Sequence, residues 1–439
     1  MIPVRAAVGG NIKNAADSEK RESGRNKDVS RKTSYVRWFM ICKESETYAV
    51  SGFLANGIHA GIKENGIKDL ALIFSVVPAA AAAVFTRNCF KAAPVLLDME
   101  RMKSGMAQAI LANSGNANAA TGEAGYADAA DMSRCAADKL NIADELVLMA
   151  STGIIGHRPP VRSIKEGMAG LVGGLHADGI PAAAEAIMTT DKFPKIACRK
   201  TMIGSKEVSV CGIAKGAGMI EPHMATMLAF AMTDLNIDVH TLNWVFKQAI
   251  DGSFNAITVD GCMSTNDTAI ILANGMAGNK QLKRNSNDLS LFKEALFGVM
   301  SDLSDAIVRD GEGATKFIEI IVDEADSIAD AKRVAYAVAN SNLVKTAFYG
   351  CDPNWGRIIA AAGSSGVSLP VDAVKLYFEE VPVFAHGKGI DGHEKELTEI
   401  MSRNNIKVFL KLGMGNKSYR IRTSDLTLDY IKINAHYHT

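Results

Sequence analysis

The stretch KGAGMIEPHMATMLAF, residues 215–230, places a threonine between a glycine-rich loop and an apolar run. A threonine hydroxyl is a weak nucleophile until a base takes its proton, and the α-amine of an N-terminal threonine is one such base. Thr226 is internal, so this chemistry requires cleavage of the bond between Ala225 and Thr226. The alternative is a buried threonine that caps a helix, and the stretch taken alone favours that alternative.

The composition is that of a globular protein. Of the 439 residues, 48% are apolar and 22% are charged, and the formal net charge is +0. A chain of this length is expected to form about two or three domains. The absence of a basic excess argues against a nucleic-acid partner. Residues 76–85 form the longest apolar stretch, which is too short for a membrane span, and no signal peptide is visible. These features predict a cytoplasmic protein with no membrane partner.

Cysteine and histidine spacing gives no sign of a metal site. The seven cysteines are scattered without a CxxC pair, and the nine histidines form no HExxH motif. This pattern predicts a reducing compartment, no disulfide framework and no metal. VDGCMSTNDT (residues 259–268) is rich in oxygen ligands but lacks EF-hand spacing, and IVRDGEGATKF (307–317) does not satisfy the phosphate-loop pattern.

Short apolar strands alternate with helical segments from Gly52 onward, which predicts an α/β or α+β fold with more than one layer. The N-terminal residues 1–45 are polar and are predicted to be disordered. We expect two domains, a large one over residues 46–315 and a smaller C-terminal one over residues 316–439.

Several elements can be assigned from the residue pattern. We predict strands at 69–77, 108–113 and 316–325, and a strand that ends at Ala150 before a tight turn at 151–153. Ser327 and Asp330 form a capping box for a helix that extends to Asn340. Further helices are expected at 129–139 and 161–175. The C-terminal segments IKVFLKLGMG, KSYRIRT and DYIKINA are predicted as strands.

Two short motifs admit a chemical interpretation. Thr152 and Gly153 at a strand end offer a hydroxyl and an unencumbered backbone N–H, which is the donor pair that an oxyanion hole needs. Glu312 lies between two glycines, which allow the backbone to approach a ligand and present a carboxylate. The alternatives are an ordinary turn for the first motif and a solvated turn for the second.

Taken together, the motifs resemble the ornithine acetyltransferase family of arginine biosynthesis, also described as bifunctional ornithine acetyltransferase/glutamate N-acetyltransferase. The resemblance spans Gly52 to Thr439 in family order and rests on the following segments: GIKDLALIFS, NSGNANAATGE, STGIIG, MTTDKFPK, KGAGMIEPHMATMLAF, SFNAITVDGCMSTNDT, DGEGATKF, CDPNWGRI and INAHYHT. With this resemblance, the nucleophile interpretation of Thr226 replaces the helix-cap alternative.

The resemblance implies a layered α/β sandwich with the nucleophile in the large domain and a smaller C-terminal α/β domain. It also implies a precursor that cleaves itself between Ala225 and Thr226 into an α and a β chain. The new α-amine of Thr226 would act as the base, since such amines have a pKa of about 7.7–8.0. Thr226 would then take acetyl from N-acetylornithine and pass it to glutamate in a ping-pong reaction. Thr152 and Gly153 would form the oxyanion hole.

The resemblance also implies the substrate contacts. Lys215 would pair with a substrate carboxylate, and Glu312 would favour an ammonium such as that of ornithine. The remaining pocket residues would be Thr189, Asn434 and Thr439. The family pattern implies an assembly of two α and two β chains and no cofactor for transfer between amino acids. A bifunctional member would also accept acetyl-CoA, and the sequence leaves that alternative open.

The chain departs from the family pattern beside the functional positions, at Ala217, His223, Ala256 and Cys262. These departures put fine specificity in doubt and leave every named group present. Two other functions stay open on the residues. A hydrolase of related fold would use the same threonine without needing Lys215 or Glu312, and an inactive amino-acid-binding protein would neither cleave itself nor transfer acetyl.

Overall fold

The protein is described by a computed structural model over residues 48–221 and 227–436. The polar tail predicted at residues 1–45 lies outside the described residues, and so do Ala225, Thr226 and Thr439. Residues 48–436 belong to one compact unit, so the domain boundary expected at residue 315 stays a prediction.

Within the described ranges, the strands form two sheets. The strands are β1 (Phe53–Ile58), β2 (Leu70–Phe85), β3 (Met106–Asn116), β4 (Val147–Ile154), β5 (Lys195–Ile203), β6 (Lys206–Lys215), β7 (Leu228–Thr233), β8 (Thr268–Ala273), β9 (Phe317–Ala325), β10 (Lys375–Phe378), β11 (Val381–Ala385), β12 (Lys388–Gly389), β13 (Asn405–Lys411) and β14 (Lys417–Ser424). The α-helices are α1 (Ala93–Arg101), α2 (Gly122–Leu140), α3 (Val161–Gly173), α4 (Ile180–Ala186), α5 (Val239–Gly252), α6 (Leu289–Arg309), α7 (Ile328–Ala339), α8 (Asn342–Tyr349), α9 (Trp355–Gly363), α10 (Glu394–Ser402) and α11 (Leu428–His436).

The first sheet folds over on itself. Its order is β4-β3-β2-β8-β7-β6-β5, with β1 paired to β2. The N-terminal half of β2 pairs with β1 and β3, and its C-terminal half pairs with β8. Buried side chains from both halves of the sheet, such as Ile73, Ile110, Ile213 and Phe230, share one core. The two halves therefore pack face to face like the layers of a sandwich.

Helices cover the outer faces of this sandwich. Residues of α1, α2 and α3 join a core with β3 and β4, and residues of α5 and α6 join a core with β5 to β8. These elements give four layers, helix–sheet–sheet–helix, because each half-sheet has two apolar faces to bury. The predicted layered α/β fold is confirmed.

The second sheet has the order β12-β11-β10-β13-β9-β14. Strand β9 pairs parallel with β13 and antiparallel with β14. Residues of α7 to α10 pack on this sheet in a separate core. The predicted strand at 316–325 is confirmed as β9. The predicted N-cap of α7 is also confirmed, since the Ser327 hydroxyl accepts the Asp330 N–H at 3.0 Å; this hydroxyl also donates to the Asp330 carboxylate at 2.7 Å.

Two predicted elements at the edge of the site were wrong. Residues 151–153 continue β4 because they pair with β3, with Thr152 opposite Ser114 and Gly153 opposite Gly115. DYIKINA, predicted as a strand, forms most of helix α11. The Thr427 hydroxyl accepts the Tyr430 N–H at 3.3 Å, so it caps this helix.

The cysteine prediction also requires a correction. Cys198 and Cys211 stand opposite each other on β5 and β6 and form a disulfide. Their spacing could not reveal this pairing, because the strand register that brings them together is not visible in a cysteine count. None of the helices in residues 48–221 and 227–436 is long and apolar enough to cross a membrane.

Candidate active site

The C-terminal ends of β4 and β6 meet, although the two strands are not neighbours in the sheet. The ammonium of Lys215, the last residue of β6, donates to the hydroxyl of Thr152 in β4 at 3.3 Å. Both side chains are buried. A hydroxyl that accepts one hydrogen bond keeps its own hydrogen to donate. Thr152 can therefore present an O–H to a substrate oxygen while Lys215 holds it in place.

Gly153 could not be replaced by a residue with a side chain. Its φ is +135°, and an added Cβ would lie 2.3 Å from the carbonyl carbon of Gly115. The requirement comes from the close pairing of two glycines, Gly115 and Gly153, at the ends of β3 and β4. The two glycines therefore allow the ends of β3 and β4 to approach each other closely.

A buried carboxylate, Asp191, connects the predicted substrate residues. It accepts the N–H of Thr189 at 2.9 Å and the N–H of Gly216 at 2.7 Å. It also lies 4.0 Å from the Lys215 ammonium. Asp191 therefore fixes the main chain at both positions. Burial lowers the pKa of Lys215, and the charges of Asp191 and Glu312 oppose that shift.

Lys195 is a buried cation that pairs with Asp191 and with a second carboxylate. Its ammonium lies 2.6 Å from the carboxylate of Asp191 and 2.6 Å from that of Asp310, and all three side chains are buried. Burial alone would raise the pKa of Asp191, but the ammonium groups of Lys195 and Lys215 outweigh it and lower that pKa. Burial raises the pKa of Asp310, and the charge of Lys195 opposes that shift.

Glu312 faces the same region from the loop after α6. Its N–H donates to the carbonyl of Ala217 at 2.8 Å, and its carboxylate would lie 2.6 Å from a Cβ added to Gly218. The side-chain amide of Asn434 donates to Glu312 Oε2 at 2.7 Å. Helix α11 thus brings a C-terminal residue to the carboxylate predicted to bind an ammonium.

Two carboxylates from the loop before β8 hold the chain on either side of residues 222–226. Asp260 accepts the N–H groups of Met219 at 2.7 Å and Ile220 at 2.9 Å. Asp267 accepts the N–H of Met227 at 3.1 Å. Its other oxygen, Oδ2, is buried and has no hydrogen-bond partner within the described ranges. Burial raises the pKa of Asp267 well above its usual value, against the opposing effects of Met227, Thr86 and Lys215.

The structure brings together every described residue of the predicted site: Thr152, Gly153, Thr189, Lys215, Glu312 and Asn434. Sequence reasoning missed Asp191, Lys195 and Asp310, which lie inside the quoted segments MTTDKFPK and DGEGATKF. The signal available in the sequence was the presence of two acids and a lysine in segments that also contain predicted site residues. Their ion pairing depends on contacts between β5 and the end of α6, which no local pattern predicts.

The chain matches the ArgJ family model over residues 54–439. It is 50% identical to the arginine biosynthesis bifunctional protein ArgJ of Geobacter sulfurreducens over 391 residues, covering 89% of this chain and 100% of the relative. It is 46% identical to the protein of the same name from Syntrophotalea carbinolica, covering 89% and 99%.

Solved structures of the same family are also similar in part. The arginine biosynthesis bifunctional protein ArgJ of Bacillus halodurans matches with 38% identity and a TM-score of 0.46, covering 47% of this chain and 98% of that chain. The ornithine acetyltransferase of Mycobacterium tuberculosis, complexed with ornithine, matches with 40% identity and a TM-score of 0.36, covering 40% and 94%. The family model and the curated relatives confirm the resemblance stated from the motifs, and the chain belongs to the ArgJ family.

Proposed function

We propose that the protein is a glutamate N-acetyltransferase that moves acetyl from N-acetylornithine to glutamate in arginine biosynthesis. The observation that carries the proposal is the contact between Lys215 and Thr152 at 3.3 Å. It sets an ammonium, which suits a substrate carboxylate, against a hydroxyl that can stabilise an oxyanion. Membership of the ArgJ family, and the naming of its curated members for arginine biosynthesis, support the same reaction.

The nucleophile is Thr226, which self-cleavage makes the first residue of a β chain. Its hydroxyl oxygen attacks the carbonyl carbon of Ala225, the Ala225–Thr226 amide bond breaks, and the proton lost by the hydroxyl is transferred to the departing nitrogen, which becomes the α-amine of Thr226. Water then hydrolyses the resulting ester. The hydrogen bonds of Asp260 and Asp267 to the flanking main chain support this proposal, because they fix both ends of the segment in which the bond must break.

Acetyl transfer follows in two half-reactions. The free α-amine of Thr226 takes the hydroxyl proton, the oxygen attacks the acetyl carbon of N-acetylornithine, and ornithine leaves with the proton. In the second half-reaction the α-amine of glutamate attacks the acetyl carbon of acetyl-Thr226. The bond from that carbon to the Thr226 oxygen breaks, and the oxygen regains its proton. The O–H of Thr152 and the N–H of Gly153 stabilise the oxyanion in both steps, which is the interaction that accelerates acyl transfer.

The charged groups set which substrates bind. Lys215 binds the carboxylate common to both amino acids, and Glu312, held by Asn434, binds the side-chain ammonium of N-acetylornithine. Thr189 and Thr439 complete the pocket.

The assembly contains two α and two β chains, and no cofactor takes part. The relatives are named bifunctional, and we include acetyl-CoA as the second acetyl donor.

We place the enzyme in the cytoplasm. Four cysteines are unpaired within the described ranges, Cys89, Cys135, Cys262 and Cys351, which suits a reducing compartment, whereas the Cys198–Cys211 disulfide is unusual there.

Initial-rate kinetics with both substrates tests the reaction. A ping-pong enzyme gives parallel double-reciprocal lines when N-acetylornithine is varied at several fixed concentrations of glutamate, and N-acetylornithine alone releases one ornithine per Thr226. Release of acetate without N-acetylglutamate would instead identify a hydrolase. The absence of any acetyl turnover would favour an inactive amino-acid-binding protein.

A further inference from the structure

Lys63 lies beside the candidate site and has no part in the function proposed above. It belongs to the loop between β1 and β2, which is fixed rather than loose. The buried carboxylate of Asp69 accepts the N–H groups of Ala60 at 2.6 Å, Ile62 at 2.7 Å and Lys63 at 2.9 Å. The backbone of Lys63 is therefore held in one place before any ligand binds.

The stem of Lys63 packs on the glycine edge of the site. A Cβ added to Gly115 would lie 3.0 Å from Lys63 Cγ, so the lysine stem covers this glycine closely. Gly115 stands opposite Gly153 in the register of β3 and β4. Lys63 thus borders the same edge as the proposed oxyanion hole.

Two hydrogen bonds orient the ammonium of Lys63 and leave its third N–H available for a ligand. It donates to the carbonyl of Met188 at 2.6 Å and to that of Lys68 at 3.1 Å. An ammonium has three N–H donors, so one is left. No carboxylate within the described ranges lies at ion-pair distance from it. Met188 precedes Thr189, and the two carbonyls therefore hold the charge next to a predicted substrate residue.

The charges that shift the pKa of Lys63 include those of residues at the candidate site. Burial lowers the pKa of Lys63 to about 8, the charge of Asp69 opposes this shift, and the ammonium of Lys215 adds to it. Further charges that act on it are those of Asp191 and Glu185. Lys63 and Lys215 are thus close enough for each ammonium to influence the other.

The charges of the site can be compared with those of the two substrates. Lys215 and Lys63 are cations, and Glu312 is an anion. N-acetylornithine carries one carboxylate and one ammonium, which Lys215 and Glu312 match. Glutamate carries a second carboxylate that has no partner in this set. We propose that Lys63 is a specificity-determining residue that binds the second carboxylate of the acceptor, a dicarboxylic amino acid. This inference rests on the proposed acetyl transfer.

The test compares Lys63→Met with Lys68→Met. Lys68 lies in the same loop and pairs at the surface with Glu185 at 2.8 Å, so it is a matched control. We expect Lys63→Met to raise KM for glutamate by about tenfold to a hundredfold, because a charge-assisted hydrogen bond is lost. KM for N-acetylornithine and the release of ornithine in the first half-reaction should change less than about twofold. Lys68→Met should alter neither substrate.

A second measurement on the wild-type enzyme keeps the inference testable if Lys63→Met fails to fold. Glutarate and valerate, which differ by one carboxylate, are used as inhibitors between pH 6 and 9. The preference for glutarate should fall as pH rises through about 8, because Lys63 then loses its charge. Changes at Lys215 affect both inhibitors alike and leave the ratio of their inhibition constants unchanged.

Three kinds of result would count against the role of Lys63, and only the last would also contradict the proposed function. Equal effects of Lys63→Met on both substrates, or no effect on either, would overturn the specificity role and leave a structural one or none. A glutarate preference that does not vary with pH would overturn it as well. A wild-type enzyme that transfers no acetyl at all would contradict the proposed function itself, and the inference would fall with it.

Discussion

The Lys215 ammonium donates to the Thr152 hydroxyl at 3.3 Å, across the ends of two half-sheets that pack face to face. The two residues are 63 positions apart in the chain. A contact at this point requires the whole sandwich to be assembled, because β4 and β6 belong to opposite halves of it. The site is therefore a product of the fold's layering rather than of one motif.

The hydroxyl of Thr152 is expected to be required for the chemical step. Thr152→Ala should lower kcat by about 10²–10³, the usual cost of one oxyanion donor. Thr152→Ser keeps the hydroxyl and should retain most activity. Steady-state kcat for both variants is the measurement. Equal activity of the alanine and serine variants would show that the hydroxyl has no role in the transition state.

Glu312 is expected to bind N-acetylornithine through the positive charge of its side-chain ammonium. Glu312→Gln keeps an oxygen that can accept the Asn434 amide but loses the negative charge. We expect KM for N-acetylornithine to rise by about tenfold or more, since a hydrogen bond to a charged group is lost. Glu319→Gln, at a carboxylate that pairs with Arg420 in the second sheet, is the control. An unchanged KM for N-acetylornithine would remove Glu312 from the ammonium site.

Lys195 is expected to stabilise the folded protein strongly. Lys195→Met would leave the carboxylates of Asp191 and Asp310 buried without their cation, which typically costs about 3–5 kcal/mol. The exposed pair Lys200–Glu207 provides the control, and Lys200→Met should cost no more than about 1 kcal/mol. Urea unfolding at pH 7 measures both changes. Similar small losses for the two variants would show that the buried cluster contributes little.

The pH dependence of this cluster has a defined sign. The folded-state pKa of Asp191 is lowered, so its ionised form contributes stability above the unfolded-state pKa. That contribution is lost as pH falls through the folded-state pKa. The destabilising effect of Lys195→Met should therefore be greater at pH 7 than in strong acid.

Asp267 is expected to reduce stability at higher pH. Its folded-state pKa is raised, so the protonated form is favoured, and the stability this gives is lost as pH rises through that pKa. Asp267→Asn keeps an oxygen for the Met227 N–H and carries no charge. We expect the stability of the variant relative to the wild type to increase from pH 5 to pH 8, because only the wild type must ionise a buried carboxyl group. Urea unfolding at the two values checks this. A relative stability that does not increase between the two pH values would show that the carboxylate charge is compensated in the folded protein.

The layered fold could be predicted because its elements follow local rules. Strand β9 is rich in apolar residues, and the N-cap at Ser327 fixes the start of α7. These features depend on neighbours within a few residues. Thr152, Gly153, Lys215 and Glu312 could be placed at one site only because their motifs occur together in one family.

The errors came where distant contacts overrule local pattern. Residues 151–153 resemble a turn, but pairing with Ser114 and Gly115 extends β4 through them. DYIKINA alternates like a strand, yet the Thr427 cap and docking against Gly313 make it a helix. Lys63 escaped notice for the same reason, since only the folded chain sets it over Gly115.

The central claim is that the chain generates its own N-terminal nucleophile, and the intact mass of the purified protein tests it most directly. The wild type should yield two fragments, the second beginning at Thr226, whereas Thr226→Ala should stay whole. A wild-type protein that remains a single chain, or a Thr226→Ala variant that is cut at the same bond, would contradict the account.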